Sequence, residues 1–273
     1  MRIKLTLNAL DDPTVVPLNY NYLLSAAIYT TLRTASAEYS SWLHSVGYIG
    51  QDGKPLKLFT FSKLQTPKGI VENGNIIVRK DSQSYIHISS PMFDDFVQSL
   101  VVGLFVSKTL TIANRNLCAR FLVTRVEMVK KPIFHPRTKF VCLSPFVVSS
   151  MREKDGVLTT HYLRPDDPNL SESIRKNLIR KYGLIHRSSL QDDRLTAELD
   201  QEYIARRGGI TRISKLISIK EGTDEETKVY AIQSPLTLEG SSELMEIAYE
   251  SGIGAKNSVG FGMLAMYQKN GQR

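Results

Sequence analysis

The chain has 273 residues, of which 42% are hydrophobic and 23% charged, a composition that excludes a collagen, a disulfide-rich scaffold and a disordered polar chain. Its length is that of about two domains, each with its own core. The 35 Lys and Arg residues outnumber the 27 Asp and Glu residues and give a formal net charge of +8, so a polyanion is an expected partner.

Neither a membrane segment nor a metal-binding pattern is evident in the sequence. The first eight residues alternate like a strand, unlike a secretory signal, and the longest apolar stretch, residues 96–106, is shorter than the ~20 residues that span a bilayer. Cys118 and Cys142 form no CxxC pair and no cluster with histidines. We therefore expect a cytoplasmic protein with reduced, structural thiols, no cofactor and no membrane partner.

In the first half of the chain, hydrophobic periodicity predicts strands and helices in alternation. The predicted elements, in chain order, are a strand at 2–7, helices at 19–35 and 38–46, strands at 56–61, 76–79 and 84–88, a helix opened by Pro91, and strands at 108–112 and 117–129.

The second half repeats this order. The predicted elements are a strand at 140–148, a helix at 171–182, strands at 211–218 and 228–232, a helix at 242–249 and a strand at 261–267. Strand-helix-strand units with an additional antiparallel strand, present twice, predict an α+β protein of two tandem ferredoxin-like domains. We place these domains at residues 1–128 and 129–273, because Lys130, Lys131, Pro132 and Pro136 interrupt the pattern near the middle.

Basic residues are concentrated in three stretches, 115–152, 175–187 and 204–220, in which Glu127 is the single acid. Solvated strand and helix faces are one explanation. Three such stretches favour nucleic acid over a membrane, because no basic amphipathic helix with an aromatic apolar face is evident. The candidate RNA-binding residues in these stretches are Arg125, Lys130, Lys131, Arg206, Arg207 and Arg212.

Residues 252–262, between a predicted helix and a predicted strand, read Gly-Ile-Gly-Ala-Lys-Asn-Ser-Val-Gly-Phe-Gly. This glycine-rich loop fits neither GxxxxGK[ST] nor GxGxxG, and it precedes a strand where both of those motifs precede a helix, which argues against a nucleotide site. A helix C-cap followed by a turn is one interpretation. The other is a backbone concavity that binds an RNA phosphate with the help of a lysine. The candidate RNA-binding residues of the loop are Gly252, Gly254, Lys256, Asn257, Gly260 and Gly262.

The same segment resembles the C-terminal glycine-rich signature of the repeat-associated RNA-binding superfamily, particularly its CRISPR RNA-processing endoribonucleases, the Cas-six family. Further stretches extend the resemblance over nearly the whole chain, namely Pro17-Leu18-Asn19-Tyr20 with residues 24–29, Trp42-Leu43-His44, residues 57–62, and Leu143-Ser144-Pro145. The resemblance implies two ferredoxin-like domains and metal-independent cleavage of CRISPR repeat transcripts (pre-crRNA) into individual crRNAs. In that reaction the ribose 2′-OH attacks the adjacent phosphate and leaves 2′,3′-cyclic phosphate and 5′-OH ends.

The resemblance also places the catalytic residues of the family at Tyr29, His44 and Lys57. An imidazole titrates near neutral pH, so His44 can donate or accept a proton. A phenol is a poor base at neutral pH, so Tyr29 is expected to orient the 2′-OH. Lys57 can place a positive charge against the phosphate, although Lys54 is an alternative for this role.

Other interpretations of these residues stay open at the level of sequence. Each could be structural, as a helix-end histidine, a half-buried helix tyrosine or a strand-edge lysine, and Tyr20, Tyr22, Tyr39 and Tyr48 lie near Tyr29 in sequence. The alternative function is a non-catalytic RNA-binding subunit of a CRISPR ribonucleoprotein complex, and a protein-interaction module is a more distant one. The expected partner is CRISPR repeat RNA; subunits of an interference complex, and a monomer or a homodimer, are left open.

Overall fold

The computed structural model describes residues 1–50, 53–154, 156–188 and 190–268. Within these residues, no helix is long and apolar enough to cross a membrane, and no three His, Cys, Asp or Glu side chains are grouped so that they could hold a metal ion.

The first half of the chain contains ten strands, three α-helices and one π-helical segment within its described residues. In chain order they are β1 (Arg2–Ala9), β2 (Thr14–Pro17), α1 (Asn21–Ala35), α2 (Ala37–Ser45), β3 (Tyr48–Ile49), β4 (Pro55–Leu56), β5 (Thr60–Phe61), β6 (Ile70–Glu72), β7 (Asn75–Val78), β8 (Gln83–Ser89), the π-helical segment (Phe93–Val97), α3 (Gln98–Ser107), β9 (Thr109–Ala113) and β10 (Cys118–Val129).

The second half contains eight strands, four α-helices and a short 3₁₀ helix within the part that the structure describes. They are β11 (Arg137–Cys142), β12 (Ser149–Lys154), β13 (Val157–Tyr162), α4 (Leu170–His186), β14 (Leu195–Leu199), α5 (Gln201–Arg207), α6 (Ile210–Ile213), β15 (Ser214–Ile219), β16 (Thr227–Ile232), β17 (Leu236–Gly240), α7 (Ser242–Ser251), the 3₁₀ helix (Asn257–Val259) and β18 (Leu264–Met266).

The first sheet has five strands in the order β5-β8-β1-β10-β9. Strands β8 and β10 both pair antiparallel with β1, and α1 and α3 lie in the connections that return the chain to the sheet. Alternating residues of β1, Ile3, Leu5 and Leu7, are buried in one cluster with Leu24 and Ile28 of α1. Every second residue of the strand and one face of α1 are therefore buried, and together they form the core of the first ferredoxin-like unit.

The second sheet has four strands in the order β14-β17-β11-β18. Helix α4 lies between β11 and β14, after the hairpin of β12 and β13, and helix α7 lies between β17 and β18, which gives the second pair of strand-helix-strand units. Phe140 of β11, Leu178 of α4, Leu236 of β17 and Leu244 of α7 are all fully buried in one cluster. The prediction of two tandem ferredoxin-like domains is therefore confirmed.

The strands predicted at 211–218 and 228–232 were assigned to the wrong part of the second domain. They form β15 and β16, a separate hairpin, and residues 210–213 belong to the short helix α6. The sheet instead uses β14 and β17, which the sequence analysis did not identify. The hairpin alternates apolar residues as a sheet strand does, so period-two patterning cannot distinguish the two positions.

The strand predicted at 56–61 is interrupted because Leu58 has a φ angle of 51°. This left-handed residue ends the extended run after β4, and the chain re-enters the first sheet at β5. The strand predicted at 140–148 likewise ends at Cys142, and beyond it Phe146 pairs with Ile232 and Val147 with Ala255.

Residues 130–136 separate the last strand of the first sheet from the first strand of the second; the domain limits of 1–128 and 129–273 stay a prediction. The two units are also in direct contact. The buried guanidinium of Arg2 donates to the Tyr249 carbonyl at 2.7 Å and stacks on the Tyr249 ring at 3.6 Å. The Thr60 hydroxyl of β5 donates to the Phe261 carbonyl at 2.9 Å.

Candidate active site and glycine-rich loop

Tyr29 lies at the edge of the buried face of α1. Leu24, Ile28 and Leu32 of this helix are fully buried, whereas Tyr29, one position after Ile28, is half-buried. Its ring meets the buried Phe59 ring edge-on at a centroid distance of 5.6 Å. Burial raises the pKa of the Tyr29 hydroxyl well above its usual range, so this phenol stays protonated at neutral pH.

The short helix α2 presents His44 next to Tyr29. The Ser36 hydroxyl caps the start of α2 by accepting from the Tyr39 N–H at 3.2 Å, and the Ser40 hydroxyl donates to the Tyr29 carbonyl at 2.9 Å, which ties α2 to α1. His44 lies in the last turn of α2 and is exposed. Its ring contacts the Tyr29 ring edge-on, with centroids 5.1 Å apart and an angle of 84°.

Lys57, between β4 and β5, completes the cluster. Its Nζ donates to the His44 carbonyl oxygen at 2.8 Å. An ammonium has three N–H donors, so donors remain for a phosphate. Partial burial lowers the pKa of Lys57, consistent with a side chain that lies along the protein surface rather than extending into solvent.

A glycine makes room for this lysine. Gly47 follows α2 with a φ of +72°, and a Cβ at this position would lie 2.9 Å from both Lys57 Cδ and the Leu56 carbonyl oxygen. The backbone N–H of Gly47 donates to the Trp42 carbonyl, as does that of Val46, and these bonds end the helix. The turn after His44 is therefore shaped to receive Lys57.

The structure thus brings Tyr29, His44 and Lys57 together, and their catalytic roles stay a prediction. Lys54 lies three residues before Lys57, and its carbonyl accepts a hydrogen bond from Arg180 of α4. This contact fixes the backbone of the segment without selecting between the two lysines.

The other nearby tyrosines have different surroundings. The Tyr20 hydroxyl is buried and accepts from the Leu64 N–H at 2.8 Å. The Tyr39 and Tyr48 hydroxyls lie 3.3 Å apart, and Tyr48 donates to Asp95 at 3.3 Å. The Tyr22 ring lies 5.8 Å from Lys220 Nζ. Tyr29 is the tyrosine of this group whose ring contacts His44.

The four glycines of the glycine-rich loop are buried, with positive φ angles between 66° and 82°. A Cβ on Gly254 would lie 2.0 Å from the Val147 carbonyl oxygen, and one on Gly260 would lie 2.4 Å from the Phe61 ring. Close packing and left-handed backbone therefore account for glycine at these positions. Contact of RNA with the loop glycines stays a prediction for Gly252, Gly254, Gly260 and Gly262.

The loop lies against α1, close to the Tyr29 cluster. The Ser25 hydroxyl donates to the Ser258 carbonyl at 2.7 Å, and the Asn21 side chain donates to the Gly260 carbonyl at 3.2 Å. Ser25 and Tyr29 are four residues apart on one helix, which corresponds to a rise of ~6 Å. Lys256, exposed at the outer side of the loop, lies two residues before Ser258, which is bonded to the helix that carries Tyr29.

Asn257 faces the interior of the loop. Its side-chain nitrogen donates to the Ile253 carbonyl at 3.0 Å and to the Phe261 carbonyl at 2.9 Å. Its side-chain oxygen accepts from Lys181 Nζ at 2.7 Å. RNA binding by Asn257 stays a prediction, whereas its contacts show a part in holding the loop.

The sequence analysis missed Lys181. This residue lies on α4 at helical spacing from the buried Ile174 and Leu178, and it is 1% exposed. The signal in the sequence is a lysine on the apolar face of a predicted helix. A buried ammonium needs hydrogen-bond acceptors from elsewhere in the fold, so such a lysine indicates a contact with another segment.

The remaining candidate RNA-binding residues lie on different elements. Arg125 of β10 pairs with Glu127 at 3.5 Å, and Lys131 pairs with Glu246 of α7 at 2.6 Å. Arg207 donates to the Tyr203 hydroxyl at 3.0 Å. All six residues of this set are exposed, and their contact with RNA stays a prediction. They are Arg125, Lys130, Lys131, Arg206, Arg207 and Arg212.

Tandem ferredoxin-like domains, with a glycine-rich loop after the last helix, define a two-domain α+β protein of the ferredoxin-like class. Family models identify the branch: "CRISPR-associated protein Cas6, N-terminal" matches residues 15–127, and "CRISPR associated protein Cas6, C-terminal" matches residues 128–266. The chain belongs to the Cas6 family.

Relatives match over both domains. "CRISPR-associated endoribonuclease Cas6 1" of Methanocaldococcus jannaschii is 28% identical over 275 residues, covering 100% of this chain and 95% of the relative. "CRISPR-associated endoribonuclease Cas6" of Pyrococcus furiosus is 25% identical over 256 residues, covering 91% and 83%. A solved structure titled "CRISPR associated protein Cas6" is 26% identical with a TM-score of 0.75, covering 98% of this chain and 99% of that chain.

Proposed function

We propose that this endoribonuclease cleaves CRISPR repeat transcripts (pre-crRNA) into individual crRNAs by a metal-independent reaction at Tyr29, His44 and Lys57. The observation that carries the proposal is their contact, with the Tyr29 and His44 rings 5.1 Å apart and Lys57 Nζ 2.8 Å from the His44 carbonyl. The relatives named endoribonucleases support the type of activity, and CRISPR repeat RNA is the proposed partner.

The reaction forms one P–O bond and breaks another. The ribose 2′-OH next to the cut attacks phosphorus and loses its proton to water, while the bond to the 5′ oxygen breaks. The products are a 2′,3′-cyclic phosphate and a 5′-OH. The reaction needs a proton donor for the 5′ oxygen and a cation for the charge that develops on the nonbridging oxygens.

The three side chains suit these tasks. Protonated His44, exposed at the end of α2, donates the proton to the departing 5′ oxygen. Tyr29 stays protonated because of its burial and orients the 2′-OH by hydrogen bonding. Lys57, held against the His44 carbonyl, stabilises the charge on the phosphate with its remaining donors.

The loop and the positive charge of the protein provide the binding surface in this proposal. Lys256 lies on the loop segment that is hydrogen-bonded to α1, the helix that carries Tyr29, and in this proposal it contacts a phosphate of the bound RNA. The net charge of +8 adds sequence-independent attraction.

The test is incubation of the protein with 5′-labelled CRISPR repeat RNA in EDTA, beside the same RNA with a 2′-deoxy substitution at the cut. We expect one cut, abolished by 2′-deoxy, and a rate about 10²–10⁴-fold lower for His44→Ala with nearly unchanged affinity. His135→Ala is the matched control, because His135 is also exposed but lies in the segment between the two sheets.

Tight binding without a cut would favour the alternative function, a non-catalytic RNA-binding subunit of a CRISPR ribonucleoprotein complex. Equal losses of affinity and rate in His44→Ala would make His44 a structural residue.

A further inference from the structure

The side chain of Lys181 is enclosed by protein, and the residue is 1% exposed. Its Nζ donates to the Gly252 carbonyl at 2.7 Å, to the Gly254 carbonyl at 3.1 Å and to Asn257 Oδ1 at 2.7 Å. All three acceptors belong to the glycine-rich loop, whereas Lys181 lies on α4, more than 70 residues earlier in the chain. The proposed reaction gives this residue no role.

The three acceptors around Nζ match the three donors of the charged side chain. A neutral amine has two N–H donors, whereas the three oxygens around Nζ need three, which an ammonium supplies. Among the described residues no carboxylate lies within ion-pair distance of Lys181, and burial lowers its pKa to about 7. Backbone and amide oxygens of the loop therefore provide its stabilisation.

The hydrogen bonds continue from Lys181 through the interior of the loop. Asn257, which accepts from Lys181, donates to the Ile253 and Phe261 carbonyls, so the two ends of the loop are held together by one side chain. Glycines with positive φ have wide conformational freedom when such bonds are absent. The shape of the loop thus depends on the cation at its centre.

The outer side of the loop carries the residues that face RNA in the proposed function. Lys256 directly precedes Asn257, and the Ser258 carbonyl directly after it is bonded to Ser25 of α1. A displacement of Asn257 would therefore move Lys256 relative to α1 and to Tyr29.

We infer that Lys181 is a positioning residue that holds the glycine-rich loop in its RNA-binding form and thereby sets the position of Lys256 relative to α1. This inference rests on the proposed function for the contact between the loop and RNA. The effect on the shape of the loop does not depend on RNA and can be measured separately.

The first experiment is hydrogen exchange of the RNA-free protein with Lys181→Met, which keeps the length of the side chain and removes the donors. We expect the amides of Ile253, Ala255 and Gly262 to exchange at least about tenfold faster, as for lost hydrogen bonds to a charged group. The matched control is Lys176→Met on the same helix, where the lysine is 71% exposed beside Glu172; its loop exchange should not change. Unchanged loop exchange in folded Lys181→Met would overturn the inference.

The second experiment is a double-mutant cycle for repeat RNA affinity between Lys181→Met and Lys256→Ala. If Lys181 acts by placing Lys256, the double variant binds no more weakly than Lys181→Met alone. Additive losses would refute this coupling, because a merely structural role gives independent effects.

Two outcomes keep the proposals distinguishable. If Lys256→Ala binds RNA normally, the proposed binding role of the loop fails, while the exchange result still decides the role of Lys181. If Lys181→Met does not fold, Lys181→Gln, a shorter neutral donor, replaces it; wild-type exchange in that variant overturns the inference.

Discussion

Gly47→Ala tests whether the position of Lys57 matters for cleavage. The added Cβ would lie 2.9 Å from Lys57 Cδ and from the Leu56 carbonyl oxygen, whereas carbon atoms pack at about 3.5–4.0 Å. The lysine side chain must therefore move by about 1 Å on these distances, and the contact with the Leu56 carbonyl requires a backbone shift as well. A misplacement of this size in an active site costs up to ~10²-fold in rate.

Gly53→Ala is the matched control. The φ angle of Gly53 is +71° and that of Gly47 is +72°, but among the described residues no atom outside its chain neighbours would lie within 4 Å of a Cβ at Gly53. Both variants pay a left-handed backbone strain of about 1–2 kcal/mol, which urea denaturation measures. We expect single-turnover cleavage at saturating RNA to fall ~10²-fold in Gly47→Ala and to stay near wild type in Gly53→Ala. Equal rates in the two variants would refute the reasoning that Lys57 must occupy the position beside His44.

The remaining predictions concern the lysine at the phosphate, the glycine-rich loop and the pH dependence of stability. Lys57→Met should lower the single-turnover rate about 10²–10³-fold and Lys54→Met should not; the reverse order would assign the phosphate to Lys54. Lys256→Ala should make the log–log salt slope of RNA binding shallower by about 0.7, the value for one contact with single-stranded RNA; an unchanged slope would remove that contact. A Cβ on residue 260 would lie 2.4 Å from a buried phenylalanine ring, so Gly260→Ala should lower the free energy of unfolding by about 1–3 kcal/mol in thermal or urea unfolding. Wild-type stability of this variant would contradict the packing argument. Burial and two neighbouring basic side chains lower the pKa of His87 to about 4. The unfolded chain therefore takes up this proton near pH 6.5 and the folded protein only near pH 4, so the free energy of unfolding should fall as the pH drops between these values. In urea titrations, His87→Gln should flatten that fall.

The fold could be predicted where local patterns are strong. The buried alternation of β1 and the helical periodicity of α1 are present in the sequence itself, and both elements lie within two residues of their predicted bounds. Strand β14 was missed because its five residues resemble many exposed segments, while the hairpin of β15 and β16 has the stronger alternation. Assignment to a sheet depends on which strands pair, and pairing between distant segments leaves no local signal.

The candidate site could be predicted in its residue types but not in its construction. The resemblance located Tyr29, His44 and Lys57, and the structure adds the reasons that they meet. These reasons are the Ser40 hydroxyl on the Tyr29 carbonyl and the space that Gly47 leaves for the lysine. Neither contact has a spacing or periodicity that a sequence pattern could show.

The glycine-rich loop shows why composition alone is an ambiguous guide to binding. Its glycines suggested a backbone open to phosphate, yet all four are buried, and packing against neighbouring backbone and rings is sufficient to require them. The loop therefore has an inner part, where Lys181 and Asn257 are hydrogen-bonded to its backbone, and an outer part at Lys256, which is exposed. If the proposed function is correct, a substitution in the inner part changes RNA binding only through the outer part, whereas a substitution of Lys256 removes a direct contact. Loss of affinity in a glycine variant is consequently evidence for contact with RNA only if the shape of the loop is shown to be unchanged.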